Sequence, residues 1–342
     1  MLNFKNILLK NSVDDNKDFS NKTAQIDDIT RIAAILSDAA YNSYENSDIN
    51  SLRLPCVSCK YGKWFVVNQR HDKTCGFDAI LFYNPVDTRF VLAFRGTELG
   101  FNLRGLKDIF TDLFGLLPAN DFRQFRSAKF YVDYIKNSII NSGEVTCNDH
   151  IKYRFNSKIA MQNFVITGHS LGGTLAQLIG AQRDNTNIRV ETFNALGAYR
   201  FLKKWTEIYS KNLSYAKEAA LKNKTPFSIE SFDKTQTFIF DREENIKNIT
   251  NYGTTWDIVS ASYKHIGRFV VVKLAETYRV KLRDFLPRSH MSDGSLSGNK
   301  KMFPVMNKIL KGHEKSNFVE VGAFELPDNC INLQHILSKI RR

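Results

Sequence analysis

The chain has 342 residues, 43% of them hydrophobic, and 48 lysines and arginines against 35 acidic residues give a net charge of +13. This length and hydrophobic content allow a large folded core and exclude a chain that is disordered throughout. No apolar run reaches the roughly 18 residues that a membrane-spanning helix needs. The charge predicts an anionic partner, and because no motif for reading nucleic acid accompanies it, we expect a membrane surface or an acidic protein.

The N-terminal segment, residues 1–25, is polar and rich in Asn, Asp and Lys. Its one short apolar stretch lacks the pattern of a secretory signal peptide. We therefore expect a protein that is made in the cytoplasm and that, if exported, uses a secretion system independent of a signal peptide.

The next part of the chain predicts a helix and then a set of strands. Ile26–Tyr44 carries apolar residues at helical spacing, and strand-like runs follow at Trp64–Asn68, Phe77–Tyr83 and Arg89–Arg95. Asn84–Asp87, between the last two runs, has the composition of a hairpin turn.

Five cysteines, an odd number in a chain of this length, do not indicate a disulfide framework. Cys56 and Cys59, with His71 and Cys75 downstream, have a spacing that metal ligands can adopt. The pattern from Trp64 to Phe94 favours consecutive strands instead. We therefore expect no metal and no other cofactor.

Leu99–Leu117 has the periodicity of an amphipathic helix, and Asp121–Ile140 is a second helical candidate. The apolar side of the first stretch comprises Leu103, Leu106, Phe110, Leu113, Phe114 and Leu117. An ordinary helix that faces the core explains this pattern as well as a mobile cover does.

Alternation of strands and helices continues in the second half. Phe164–Thr167 is typical of a buried strand and Thr174–Gln182 of a helix, and further strand-like runs are Arg189–Phe193, Thr237–Phe240 and Ile246–Tyr252. These intervals predict the α/β class, with a mostly parallel central sheet and crossover helices.

A basic insertion, residues 201–231, interrupts this alternation. If it is helical, its apolar stripe comprises Trp205, Tyr209, Leu213, Ala216 and Ala220. Lysines flank this stripe, so an interfacial helix and a core-packed helix with a solvated face both fit. The C-terminal extension, residues 299–342, is also basic, and we expect it to pack on the domain.

The stretch "FVITGHSLGG", Phe164–Gly173, places a serine between a predicted strand and a predicted helix. Glycines on both sides of a strand–serine–helix turn let the strand and helix approach closely while the serine projects from a strained backbone. Ser170 is therefore the candidate nucleophile. The Leu171 N–H, at the start of the helix, is the natural first donor to an oxyanion, and Thr97 in "FRGT" can supply a second.

Taken together, these segments resemble the class 3 (fungal-type) lipases and the bacterial phospholipases related to them. The matching pieces are "FVLAFRGT" at 90–97, "DIFTDL" at 108–113, "ITGHSLGGTLA" at 166–176, "ETFNALGA" at 191–198 and "TWDIVS" at 255–260. The resemblance implies an α/β-hydrolase fold over 26–298, an oxyanion hole at Thr97 and Leu171, and a lid at about 98–120 that carries the apolar side chains at 103–114. It is nearer to the bacterial phospholipase A1 branch, although Ile109 or Phe110 stands where these enzymes usually have a tryptophan.

In this family the acid and the histidine follow the serine along the chain. The resemblance favours Asp257 as the acid, with Asp241, after "TFIF", as its rival. It favours His290 in "RSHMSDGSL" as the general base, with His313 and His265 as alternatives, and it implies a structural role for a histidine at 265.

The resemblance implies a serine hydrolase of lipid carboxylic esters, most closely a phospholipase A1 that acts at an anionic phospholipid membrane surface without a cofactor. A triglyceride lipase or esterase is the alternative within this class, and a non-catalytic membrane-binding protein is the alternative outside it. Membrane-lytic chemistry combined with the absence of a signal peptide suggests an exported antibacterial or virulence effector. The producing cell would then need an immunity protein as a partner.

Overall fold

A central sheet of eight strands organises the protein, whose computed structural model describes residues 27–41, 56–59, 61–96, 123–236, 238–254, 257–261 and 263–272. The strands of this sheet are β1 (Cys56–Cys59), β2 (Gly62–Asp72), β3 (Phe77–Asn84), β4 (Arg89–Phe94), β7 (Val165–His169), β8 (Arg189–Phe193), β9 (Ile249–Thr254) and β10 (Arg268–Val272). They lie in the order β1-β2-β3-β4-β7-β8-β9-β10. Two further strands, β5 (Glu144–Thr146) and β6 (Lys152–Arg154), pair with each other.

Helices cover both faces of this sheet. They are α1 (Asp28–Ala39), α2 (Arg123–Tyr134), α3 (Ser157–Gln162), α4 (Leu171–Gly180), α5 (Tyr199–Lys222), α6 (Ile229–Thr235) and α7 (Ile258–Ala261). A π-helical stretch, Ile135–Ile140, continues α2, and 3-10 turns lie at Arg183–Asn185 and Glu243–Asn245. None of these described helices is both long and apolar enough to cross a membrane.

The sheet has an antiparallel part and a parallel part. Strands β1 to β4 pair in antiparallel fashion, whereas β4, β7, β8, β9 and β10 run parallel to one another. The turn between β3 and β4 forms because the Asn84 side chain accepts the N–H of Val86 at 2.8 Å. The carboxyl ends of the parallel strands lie at one edge of the sheet, which we call the C-terminal edge.

Strand β4 shows how the core is divided between the two faces. Phe90, Leu92 and Phe94 pack with α2 and α4, while Val91 and Ala93 point to the opposite face and pack with α1. Burial on both faces is what a strand in a covered parallel sheet requires. The observed architecture confirms the predicted α/β class with a mostly parallel sheet, and it is consistent with an α/β-hydrolase fold.

Helix α1 is tied to β8 at its first residue. Asp27 caps the helix by accepting the Thr30 N–H at 2.9 Å, and Arg189 donates to both oxygens of the same carboxylate at 2.8 and 2.9 Å. Burial raises the pKa of Asp27, but these hydrogen bonds outweigh it and lower that pKa to about 2.

Most predicted elements are confirmed, and one strand is wrong. Phe240 makes an isolated antiparallel bridge with Gln182 and belongs to no strand of the sheet. Phe238 and Phe240 pack instead against the Phe125 ring, at centroid distances of 4.6 and 5.9 Å. Aromatic residues at a spacing of two therefore marked a core-packed loop rather than a strand.

Of the residues with metal-ligand spacing, Cys56, Cys59 and His71 lie in strands of the sheet and Cys75 lies in the turn after β2. Cys56–Cys59 form β1 and pair with the start of β2. His71 contacts Asp78, and the Cys75 Sγ lies 3.5 Å from the Ser127 Oγ. Over the described ranges, no three His, Cys, Asp or Glu side chains come together as a group that could hold a metal ion.

Candidate active site

Ser170 occupies a sharp turn between β7 and α4. Its φ is 55° and its ψ is −125°, a left-handed backbone conformation that costs free energy for a residue with a Cβ. The Ser170 N–H donates to the Phe193 carbonyl of β8 at 3.1 Å, and the Ser170 carbonyl accepts the Thr174 N–H at 3.1 Å. The turn is therefore held from both the sheet and the helix.

The positions of Gly168 and Gly172 require glycine because neighbouring backbone leaves no room for a side chain. A Cβ at Gly168 would meet the backbone of Gly172 and would lie 2.7 Å from the Gly173 nitrogen. A Cβ at Gly172 would lie 2.8 Å from the Phe94 carbonyl carbon. Strand β7, helix α4 and the end of β4 thus meet at van der Waals distance, as a strand–nucleophile–helix turn needs.

Leu171 is the first residue of α4. The first N–H groups of a helix have no partner within it and carry partial positive charge, so this position suits the stabilisation of an oxyanion. The Leu171 side chain packs against the cluster of Leu196 and Val259. Because Val259 lies in α7, this contact brings α7 next to the start of α4.

Gly96 follows β4 and lies beside the serine. A Cβ built on Gly96 would lie 3.2 Å from the Ser170 Cβ and 2.6 Å from the His169 carbonyl oxygen. The loop that leaves β4 therefore starts against the proposed nucleophile. Thr97, the next residue and the predicted second oxyanion donor, lies outside the described residues.

Asp257 is buried at the start of α7, with 1% of its surface exposed. Its Oδ1 accepts the Val259 N–H at 3.0 Å and its Oδ2 accepts the Ser260 N–H at 2.9 Å. The carboxylate is thus oriented by two backbone donors, and an ionised carboxylate still has lone pairs for an imidazole N–H. This geometry suits an acid that aligns a histidine.

A chain of contacts links Asp257 to the serine turn. Asn194, after β8, has a φ of 45°, donates its N–H to the Tyr252 carbonyl at 2.8 Å and accepts the Thr254 N–H on its side chain at 2.9 Å. The Asp257 N–H in turn donates to the Thr254 carbonyl at 3.2 Å. The loops after β7, β8 and β9 therefore meet at the C-terminal edge.

The rival acid, Asp241, lies elsewhere. Its N–H donates to the Ala181 carbonyl at 2.9 Å, just past the end of α4 that is farther from Ser170. Eleven helical steps at about 1.5 Å each separate Ser170 from Ala181, roughly 16 Å. The Asp241 carboxylate accepts from the Arg242 N–H and the Asn245 side chain instead. A histidine in contact with Ser170 would be out of its reach.

His265 is held as part of the scaffold. Its Nε2 lies 2.8 Å from the Ser260 carbonyl, to which it donates, and its ring stacks on Phe269 at 4.4 Å. Burial lowers the pKa of His265 to about 4, although the Ser260 carbonyl and the Asp257 charge favour the protonated form. A neutral imidazole whose Nε2 already donates to a backbone carbonyl matches the structural role that the resemblance implies.

The remaining predicted site residues lie outside the described part of the chain. These are the predicted base His290, its alternative His313, the lid at about 98–120 and its side chains Leu103, Leu106, Phe110, Leu113 and Phe114. The N-terminal segment (1–25) and the C-terminal extension (299–342) are outside it as well. Their assignments stay predictions.

The basic insertion is helical, as predicted, and it forms an arm that consists of α5 and α6 (199–235). The residues of the predicted stripe are half-buried. Tyr209 contacts the Phe232 ring at 5.5 Å and donates to the Asp233 carboxylate at 2.5 Å. Part of the stripe is thus covered by the returning chain. Farther along α5, Tyr215 and Leu221 are exposed, so the interfacial interpretation stays open beside the core-packed one.

The arm runs away from the serine. Its first turn lies beside the middle of α4, where the Ala198 N–H donates to the Gln177 side chain at 3.2 Å. Farther along, Asp233 pairs with Arg183, which follows the end of α4, at 2.8 Å. Helix α5 continues for 13 residues beyond Tyr209, about 20 Å at ~1.5 Å per residue.

Two residues near the serine were not identified from the sequence. Asn194 has the local signal of an asparagine directly after a buried strand, where a left-handed conformation is tolerated. Tyr41 has no local signal, because its contact with His169 joins residues 128 apart in sequence.

Comparison with known protein families gives a match over part of the chain. Residues 91–195 match the family described as lipase (class 3), a range that includes β4, β7 and the Ser170 turn and ends before Asp257. No curated protein matches the chain.

Several solved structures are similar in fold. Lip2 lipase from Yarrowia lipolytica is 15% identical, with 74% of this chain and 82% of that chain covered and a TM-score of 0.41. Lipase II from Rhizopus niveus is also 15% identical, with 72% and 76% covered and a TM-score of 0.35. Rhizomucor miehei triacylglyceride lipase is 12% identical, with 73% and 80% covered and a TM-score of 0.35. These overlaps carry no information about the substrate, but the family match around the Ser170 turn supports hydrolysis of lipid esters.

Proposed function

We propose that the protein is a serine hydrolase of lipid carboxylic esters, with Ser170 as its nucleophile. The observation that carries this proposal is the strained turn at Ser170, held between β7 and α4 with Gly96 on one side. The buried Asp257 on a neighbouring loop of the same edge supplies the acid that such a serine needs.

The reaction would proceed in two displacements. His290 takes the proton of the Ser170 hydroxyl as its oxygen attacks the ester carbonyl, and Asp257 stabilises the imidazolium. The oxyanion is stabilised at Leu171 and Thr97, and collapse of the intermediate expels the alcohol, which takes its proton from His290. Water, deprotonated by the same histidine, then attacks the acyl-enzyme and releases the fatty acid.

Among lipid esters, we favour the first acyl position of phospholipids, which makes the enzyme a phospholipase A1. Two features support this choice. One is the resemblance to the bacterial branch of "FNALG" at 193–197, followed by "WDIVS" at 256–260 and "HIG" at 265–267, and the other is the net charge of +13. Each basic residue near an anionic bilayer contributes about 1 kcal/mol of attraction. Zwitterionic and neutral lipid surfaces offer no such attraction.

Fatty-acid release from vesicles tests both levels of the proposal. Phosphatidylglycerol and phosphatidylcholine vesicles, labelled separately at each acyl position, are incubated with the wild type, Ser170→Ala, His290→Ala and Asp257→Asn. We expect release from the first position, faster from phosphatidylglycerol, and a loss of roughly 10³-fold or more in each variant.

Matched variants control this experiment. Asp241→Asn and His313→Ala change the same residue types outside the proposed triad and should retain most of the activity. Activity on triglyceride emulsions without activity on either vesicle would leave Ser170 as the proposed nucleophile and reject the phospholipid assignment. Full activity in Ser170→Ala would reject the proposal as a whole.

A further inference from the structure

The hydroxyl of Tyr41 joins three segments of the chain. Tyr41 lies just after α1, and its Oη accepts the N–H of Gly96, after β4, at 3.1 Å. The same oxygen lies 3.0 Å from Nδ1 of His169, the last residue of β7. A tyrosine hydroxyl has one donor and two acceptor positions, so it can receive the Gly96 N–H and give its own proton to the imidazole.

Both partners of this hydroxyl flank the proposed nucleophile. His169 directly precedes Ser170, and a Cβ on Gly96 would lie 3.2 Å from the Ser170 Cβ. The Gly96 N–H is therefore fixed at the point where the chain leaves β4 beside the serine. A shift of this backbone relative to Ser170 would change the space in which the oxyanion forms.

The Tyr41 ring is itself held in place. Its edge meets the His169 ring at a centroid distance of 5.9 Å, and the Arg95 guanidinium lies 5.8 Å from its centroid. Arg95 also pairs with Asp78 of β3 at 3.7 Å. The hydroxyl thus belongs to a side chain that is fixed on two sides, which a positioning group requires.

We propose that Tyr41 is a positioning residue for the oxyanion side of the active site. It holds the backbone at Gly96 against the Ser170 turn through one hydroxyl, and it acts through that backbone. This inference rests on the proposed function, because it assigns a role within the same site.

The variant Tyr41→Phe removes the hydroxyl and keeps the ring. On the soluble ester p-nitrophenyl butyrate we expect kcat to fall about 10- to 100-fold, because the oxyanion donors are displaced, while KM changes by less than about twofold. Tyr131→Phe is the matched control. Tyr131 is a buried core tyrosine whose hydroxyl donates to Asn68 at 2.9 Å, so this variant loses a similar hydrogen bond and should retain kcat.

Labelling with a fluorophosphonate separates the two levels of failure. A wild type that neither hydrolyses esters nor labels at Ser170 would reject the proposed function itself. An active wild type with Tyr41→Phe within twofold of its kcat, or with an equal loss in Tyr131→Phe, would overturn only the role of Tyr41.

A double-mutant cycle provides the second test. His169→Leu removes the acceptor of the Tyr41 proton, so it should also lower kcat and leave KM unchanged. If both residues act through one chain of hydrogen bonds, the combined variant should lose much less than the product of the two single losses. Independent, multiplicative losses would contradict the proposal. Where Tyr41→Phe does not fold, His169→Leu alone decides, and an unchanged kcat would overturn the inference.

Discussion

Glu191 and His265 are buried ionisable side chains that the proposed chemistry does not use. Burial raises the pKa of Glu191 to about 7, with the Arg189 charge offsetting part of that effect. Burial lowers the pKa of His265 to about 4. Between these values, the folded protein holds an extra proton at Glu191 and lacks one at His265, relative to the unfolded chain.

The two residues should therefore give stability opposite dependences on pH. The folded pKa of Glu191 is raised, so its contribution falls as the pH rises from about 4.5 to about 7. The folded pKa of His265 is lowered, so its contribution falls as the pH drops from about 6.5 to about 4. Over the shared range the two slopes oppose each other.

A variant that removes one of the two groups should leave the pH dependence of stability that the other group causes. In Glu191→Gln, the free energy of unfolding should rise with pH between about 4.5 and 6.5 more steeply than in the wild type, by at most about 1.4 kcal/mol per pH unit. In His265→Gln it should fall with pH over the same range. Urea denaturation followed by circular dichroism at several pH values measures both, with exposed Glu207→Gln as the control. Profiles that coincide with the wild type would show that neither group is perturbed as described.

Residues differ in how far the sequence determines their role. Ser170 could be singled out as the candidate nucleophile because glycines, a strand and a helix are all local to it. The choice between Asp257 and Asp241 could not be made from local pattern, since each follows an apolar run. The fold favours Asp257 over Asp241, because Phe238 and Phe240 lie against α2 and the end of α4 rather than in the sheet. Tyr41 could not be found at all, since its partners come from two distant strands.

Elements were predictable where periodicity reflects burial on one side or on both. Strand β4 is buried on both faces and α1 on one, and both follow the expected patterns. The prediction failed at Phe240, where aromatic residues pack in a loop. The arm was predictable as a helix, but its direction was not, because it depends on contacts with Gln177 and Arg183.

The arm allows a direct prediction about its basic tip. Replacing Lys211, Lys217, Lys222 and Lys224 by Gln should lower hydrolysis of phosphatidylglycerol vesicles by less than about threefold. The tip lies away from Ser170, so we expect its lysines to be far from the bilayer surface on which the serine acts. Attraction between the lysines and lipid charges more than about 8 to 10 Å away in solvent is largely screened at physiological salt. Initial rates of fatty-acid release check this. A loss above tenfold that the corresponding Lys→Arg set restores would contradict it and make the tip a membrane-binding element.

At the scale of the whole molecule, the proposed chemistry is concentrated at one edge. The ends of β4, β7, β8 and β9 bring Gly96, Ser170, Asn194 and the Asp257 loop together. Crevices outside the carboxyl ends of parallel strands are where ligands bind in open α/β sheets. The strand–helix alternation predicted the mostly parallel sheet. Which residues meet there required the strand order.

Covalent labelling tests most directly the central claim, that Ser170 is an activated nucleophile. The protein is treated with a fluorophosphonate, which reacts with activated serines, and the adduct is located by peptide mass spectrometry. We expect a single adduct at Ser170, no adduct in Ser170→Ala, labelling slowed by at least about 10²-fold in Asp257→Asn, and an unchanged rate in Asp241→Asn. A folded wild type that is not labelled, or is labelled only at another serine, would contradict the claim.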